Sequence, residues 1–194
     1  MQVLTPTKKG KLGTKELNKT LQEAINPESS KKKERKFGDS VFREGDRVMQ
    51  IKNNYDIYWD REIDGVYENS TGVFNGEIGR IEKIDLNERQ MKVVFDDEKN
   101  VWYQFSEFDQ LELAYGITIH KSQGSEFDVV ILAVPQAAPM LLTRNLLYTA
   151  ITRAKKLLVL LGNNTTINYM INNIDSKKRN TGLKFKIERI MSKE

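Results

Sequence analysis

The 194-residue sequence predicts an α/β protein, a parallel β-sheet flanked by helices and interrupted by an inserted β-rich module. Three observations carry this. Two apolar, β-branched runs, at 127–134 and 157–161, read as strands buried on both faces, as the strands of parallel sheets do. Apolar residues at helical spacing flank and separate them, Leu17, Leu21 and Ile25 early in the chain and Leu146, Leu147, Ala150 and Ile151 later. From about residue 43 to residue 113 the periodicity changes to two, turn signals recur, and the period then changes back. Parallel strands joined by right-handed helical crossovers, with an antiparallel module looped out between them, account for both changes.

Composition bounds the class. With 39% hydrophobic and 30% charged residues the chain reads as an ordinary globular protein, and no apolar run approaches the roughly 20 residues of a membrane span. Zero cysteines exclude disulfides and thiolate metal sites, and no apolar signal-peptide core follows Met1. A cytoplasmic chain without a membrane partner is the expectation. The net charge of +4 suits a polyanion only mildly and fits an ordinary mixed-charge surface.

In chain order, residues 2–5 predict a short strand, followed by a turn with Lys8, Lys9, Gly10 and Gly13. Thr14 then caps a helix that stops at Asn26 and Pro27. This corner looks like a phosphate site in miniature, but GxxxxGK[ST] is absent and a plain connection is the better reading. A domain that opens on a strand without a lead-in reads as the remainder of a longer protein. The charged segment 28–36 reads as an exposed loop. A strand holds Val48 and Ile51, turns fall at Asp64-Gly65, Asn75-Gly76 and 77–79, and the stretches 76–85, 90–97 and 100–113 read as successive strands of a small curled barrel. Its glycines at 72, 76 and 79 suit bends and bulges. Many aromatic residues gather here among carboxylates, which favours packing over base stacking; Tyr58 and Trp59 are the best candidates for something more.

The stretch 113–134 holds the sole histidine, His120, in a polar cluster too rich for a core. Ile117 and Ile119 alternate as in a strand, but a short helix over about 115–123, capped at Gly124, is the favoured reading. Either way the polar turn 122–126 lies beside the end of a buried strand, where open α/β sheets bind ligands. A helix over 143–154 follows, capped by Thr143, with Arg153, Lys155 and Lys156 in its last turn. A further helix is expected over 165–174, and the basic stretch 177–189 reads as peripheral.

The segments AYGITIHKSQGSEFDVV, at 114–130, and NLLYTAITRAKKLLVLLG, at 145–162, resemble motifs V and VI of superfamily-one DNA helicases. The closest resemblance is to the RecD-like branch, which includes the exodeoxyribonuclease V alpha subunit. The opening 2–27 and the segments 45–56 and 73–81 fit that branch too, so the resemblance covers nearly the whole chain. It implies a RecA-like second motor domain of P-loop NTPase type, carrying a Src-homology-three-like barrel. Residues 1–42 and 113–194 would form the motor domain, and 43–112 the β-rich segment, with the barrel at about 72–112.

Carried over residue by residue, the resemblance places Thr118 and His120 against single-stranded DNA, with Lys121 and Ser122 as phosphate neighbours. It places Gly124 and Glu126 beside the nucleotide ribose and phosphates. Arg153 becomes the catalytic arginine that reaches the γ-phosphate across the cleft, supported by Tyr148 and Thr152. The family activity is ATP-dependent DNA unwinding, 5′ to 3′, in recombination and repair. Walker A and B residues are absent, so ATP and Mg²⁺ belong to a full-length protein whose missing first motor domain holds the metal. The chain alone is expected to hold no cofactor or metal and to hydrolyse no ATP. The implied partners are single-stranded DNA, that N-terminal motor domain, and other recombination or nuclease subunits. The alternative is a freestanding DNA- or protein-binding module without ATPase activity. A nuclease reading has little support, because no carboxylates stand at metal-ligand spacing.

Overall fold

In the computed structural model, residues 1–136, 139–174 and 182–192 are described. The strands are β1 (Gln2–Thr5), β2 (Glu34–Phe37), β3 (Ser40–Arg43), β4 (Arg47–Gln50), β5 (Asn54–Ile63), β6 (Val66–Val73), β7 (Ile78–Asp85), β8 (Gln90–Phe95), β9 (Asn100–Gln104), β10 (Leu111–Leu113), β11 (Gly116–Thr118), β12 (Phe127–Val134) and β13 (Ala154–Gly162). The helices are α1 (Thr14–Ile25), α2 (Arg144–Ile151), α3 (Asn164–Asn172) and α4 (Leu183–Met191). None of the described helices is long and apolar enough to cross a membrane.

β11, β1, β12 and β13 form a parallel sheet in that order. The β1-to-β11 crossover carries α1 and the whole inserted module; α2 carries the crossover from β12 to β13. On one sheet face Leu4, Val130, Leu132 and Val134 pack with Ile117 and Ile119 against Leu146, Leu147 and Ala150 of α2 and Met170 of α3. Each of the leucine, isoleucine, valine and methionine side chains, fully buried, contributes about 1.5–3 kcal/mol.

The other predicted core strand differs from expectation. β13 is an edge strand, and Leu157 and Leu161 are each 53% exposed. Its apolar sequence suits burial on both faces, but among the described residues no strand pairs with its outer edge and little covers that side. The helix before it is shorter than 143–154. Thr143 caps it as expected, its hydroxyl accepting from Leu146 N, but the chain leaves the helix at Thr152. Lys155 and Lys156 therefore lie in β13 and not in a helical last turn.

The expected helix over 115–123 is a strand followed by a 3-10 turn. Gly116–Thr118 pairs with β1, and only Ile119–Ser122 coils. The sheet wins because Gly116 is fixed from both sides: its N–H donates to Asn18 Oδ1 at 2.7 Å and its carbonyl accepts from Asn18 Nδ2 at 3.0 Å.

α1 starts at Thr14 itself, one residue earlier than a Thr14 cap predicts, with Gly13 at the N-cap position. Gly13 is required there, since a Cβ would stand 2.5 Å from Lys9 O. The predicted apolar stripe is not the buried face: Ile25 is exposed, whereas Asn18, Gln22 and Asn26 are buried. Gln22 and Asn26 meet the fully buried carboxylate of Asp46, whereas Asn18 holds Gly116 and Leu113 O. Gln22 Nε2 donates to Asp46 Oδ2 at 2.5 Å, Asn26 Nδ2 to Oδ1 at 2.7 Å, Arg43 N to Oδ2 at 2.7 Å and Tyr115 Oη to Oδ1 at 2.9 Å. Burial pushes the Asp46 carboxyl up, and the donated hydrogen bonds oppose that shift.

The inserted module is a seven-stranded antiparallel sheet ordered β10-β4-β7-β8-β9-β5-β6. It begins at Arg47, well before residue 72, because β4, β5 and β6 belong to it. Its core holds Val48, Ile81, Ile84, Met91, Val93, Val101, Tyr103 and Phe108. Phe42 joins that core, so the end of the expected 1–42 motor segment packs on the module. The expected loop at 28–36 is partly ordered: Glu34–Phe37 pairs with Ser40–Arg43, and Phe37 meets Phe108 edge-on at 6.0 Å. The stretch 100–113 is two strands separated by the 3-10 turn Phe105–Gln110, which inserts Phe108. The predicted peripheral stretch 177–189 lies partly outside the described residues; α4 is exposed from Lys186 onward.

Candidate functional site

The motif stretch crosses the parallel sheet from edge to edge. Thr118 pairs with Thr5 at the carboxyl ends of β11 and β1, and Leu4 pairs with Leu132. Thr118 is thus level with Ala133, whereas Phe127 opens β12 at the opposite edge. Six residues of strand separate the two levels, about 20 Å at about 3.3 Å per residue. The polar turn 122–126 therefore lies beside a strand end, as the sequence predicts, and that end is the amino end of β12.

At the carboxyl edge, Thr118 is mostly buried and its hydroxyl accepts from Lys121 N at 3.3 Å. Lys121 Nζ pairs with Glu112 Oε2 at 2.7 Å, and Lys8 Nζ approaches Glu112 Oε1 at 4.0 Å. Thr118, Lys121, Lys8, Thr14, Asn18 and Glu112 share one shallow groove. His120 is exposed next to it in sequence and does not line it. Ser122 is a correction: its side chain is fully buried and its hydroxyl donates to Ile119 O at 2.8 Å, so it presents no group to a phosphate. Sequence reasoning missed Asn18 and Glu112, and it set aside Lys8, whose loop is built by Thr5 Oγ1 donating to Leu12 O at 2.7 Å.

At the amino edge, Gly124, Glu126 and Arg153 come together. Gly124 has φ +87°, and a Cβ there would meet nothing within 4 Å, so its backbone faces open space. Arg153 lies just past α2. Its Nε donates to Thr149 O at 3.2 Å, Nη2 to Thr152 Oγ1 at 3.2 Å, and Nη1 to Ser125 O at 3.0 Å, which ties it to the Gly124 turn. The backbone closes the same junction, Phe127 N donating to Arg153 O at 2.8 Å. Among the described residues no carboxylate pairs with Arg153. Glu126 is exposed and pairs with Lys155 at 3.3 Å. Tyr148 is exposed on α2 beside this junction in sequence.

This edge suits a phosphate-bearing ligand: it offers a guanidinium without a carboxylate partner among the described residues, an approachable glycine backbone and an exposed carboxylate. Among the described residues no three metal-ligating side chains converge.

Residues 17–95 match the family described as the SH3 domain of ATP-dependent RecD-like DNA helicases. Residues 113–161 match the UvrD-like helicase C-terminal domain. An uncharacterized protein of Methanocaldococcus jannaschii is 34% identical over 94% of this chain and 16% of its own length. The ATP-dependent RecD2 DNA helicase of Deinococcus radiodurans is 35% identical over 80% of this chain and 19% of its own. The fold is shared with a Pif1 helicase from Bacteroides, crystallised with ADP-AlF3 and single-stranded DNA. That match has a TM-score of 0.55 at 19% identity and covers 99% of this chain and 46% of that one. Fold and site together define a class, the C-terminal domain of a helicase interrupted by an SH3-type sheet. Within that class the chain belongs to the RecD-like DNA helicases, as a segment of their C-terminal part. It spans about a sixth to a fifth of the length of these two relatives.

Proposed function

We infer that this chain acts as the C-terminal motor segment of a longer ATP-dependent DNA helicase, supplying half of the nucleotide site and half of the DNA track. One observation carries the reading: Arg153, without a carboxylate partner among the described residues, is held by Ser125 O against the Gly124–Glu126 turn. Arg153 stabilises the charge that develops when the γ-phosphate is transferred, Gly124 lets the backbone approach the phosphates, and Glu126 accepts from the ribose. Bound ATP supplies the free energy, and its Mg²⁺ is held by a first motor domain, since this chain has no Walker A or B sequence. The segment alone hydrolyses no ATP.

Thr118, His120 and Lys121 contact single-stranded DNA at the other sheet edge, with Lys8 beside them. These are backbone contacts without sequence readout. Domain closure on ATP and opening after hydrolysis move the strand, 5′ to 3′, in cytoplasmic recombination and repair. Because 119–126 joins the two edges directly, a displacement at one end is felt at the other.

The test is DNA-stimulated ATP hydrolysis by the full-length protein. Arg153→Ala is expected to lower kcat by about 10³-fold or more. Unchanged hydrolysis would refute the reading.

A further inference from the structure

The hairpin formed by β5 and β6 stands at the edge of the antiparallel sheet, and residues 66–71 of β6 are exposed. Its cross-strand pairs divide it into two faces of opposite character. Trp59, Arg61 and Ile63 stand opposite Ser70, Glu68 and Val66; Tyr58, Asp60 and Glu62 stand opposite Thr71, Asn69 and Tyr67.

The first face satisfies itself. Trp59 packs against the module core, Arg61 pairs with Glu68 at 2.6 Å, and both Arg61 and Lys99 lie over the Trp59 ring at 5.4 Å. The second face has the same ingredients without the cation. Tyr67 Oη stands 3.4 Å from both Tyr58 Oη and Asp60 Oδ2. Among the described residues neither Asp60 nor Glu62 has an ion-pair partner. The Tyr67 hydroxyl is pushed up to about 12, first by its hydrogen bond with Tyr58, with Asp60 adding to the shift. The whole hairpin carries five carboxylates, Asp56, Asp60, Glu62, Asp64 and Glu68, against the single cation Arg61, in a chain whose net charge is +4.

We propose that the Tyr58, Asp60, Glu62 and Tyr67 face, with the free edge of β6, docks a lysine- and arginine-rich segment of a partner protein. The inner face already displays the recognition mode, a guanidinium held between a carboxylate and an aromatic ring; the outer face offers two rings and two carboxylates for cations from outside. An extended segment adds to β6 through backbone hydrogen bonds while its alternate side chains reach the tyrosines and carboxylates. Nucleic acid is disfavoured, because its phosphates would meet this anionic hairpin.

The experiment uses the whole chain and two labelled probes in fluorescence anisotropy: a decapeptide alternating lysine or arginine with valine, and oligothymidine. Relative to wild type, Asp60→Asn/Glu62→Gln and Tyr58→Ala/Tyr67→Ala are each expected to weaken peptide binding at least tenfold and leave oligothymidine binding unchanged. Glu28→Gln/Glu88→Gln, which removes the same charge elsewhere, is expected to change peptide binding less than twofold. All four side chains are exposed or half-buried, and unfolding midpoints check that each variant folds. Equal peptide binding by wild type and the hairpin variants overturns the proposal. So does a loss of oligothymidine binding in those variants, or a concentration-dependent dimer of the wild type that they abolish, which would assign the face to self-association.

Discussion

Arg153 spends three of its guanidinium donors on its own chain, which fixes the charged group beside a turn that it does not neutralise. Gly124 in that turn separates strain from function. Its φ is +87° with open space where a side chain would go, so Gly124→Ala meets no clash and costs only backbone strain. The expected loss is about 1 kcal/mol in urea unfolding; a loss several times larger would mean the space is filled. Asp46 gives a prediction with a pH sign. Its folded pKa is raised, so its contribution to stability is fully present below the ordinary carboxylate value of about 4 and is lost as pH rises through the raised value. Wild type should shed this step across that window and Asp46→Asn should not, so the stability difference between them should narrow as pH rises. Urea midpoints at a series of pH values check this. The sequence singles out Gly124 and Arg153 because their neighbours form a recognisable string, and the structure brings the two to one sheet edge. It does not single out Asp46, because the donors to that carboxylate come from Gln22, Asn26 and Tyr115, far away in sequence.

At the scale of elements, periodicity located α1 but misread which face it buries. Leu17, Leu21 and Ile25 share the helical repeat with Asn18, Gln22 and Asn26, one residue on. The amide stripe turns inward because its neighbours present a carboxylate and free carbonyls rather than an apolar surface. This inverts the usual rule for substitutions. Ile25→Lys should fall within about 0.5 kcal/mol of wild type. Gln22→Leu should cost about 2–4 kcal/mol, since it strips a donor from buried Asp46 and leaves Val41 O unpaired. Urea unfolding of the two variants checks the order; the reverse order would restore the apolar stripe as the buried face. The same limit explains β11 and β13. Local spacing allowed a helix at 115–123, and only β1 and Asn18, both distant in sequence, decided for a strand. The apolar run of β13 announced a strand correctly, but an edge position depends on which strands lie beside it.

Over the whole molecule, two hydrophobic cores, one in the parallel sheet and one in the inserted module, meet at a polar seam. Met49 and Ile78 of the module reach into the parallel-sheet core, but the directed contacts across the seam are hydrogen bonds. Asn18 holds Gly116 and Leu113 O, and Tyr115 Oη donates to Asp46. A seam of this kind transmits displacement, because buried donors and acceptors cannot slide to new partners without leaving a polar group unpaired. It should therefore also set the cooperativity of unfolding. Both tryptophans, Trp59 and Trp102, lie in the module, while every described α-helix lies outside its sheet. Tryptophan fluorescence thus reports one core and far-ultraviolet circular dichroism mainly the other. In wild type the two thermal transitions should coincide. In Tyr115→Phe, which removes the hydroxyl donated to Asp46 across the seam and keeps the ring, the circular-dichroism transition should move below the fluorescence transition, by about 4–8 °C for each kcal/mol lost at the seam. If the two probes still coincide in that variant, the cores are coupled without the Tyr115 hydroxyl, and its hydrogen bond to Asp46 carries no separate cooperativity.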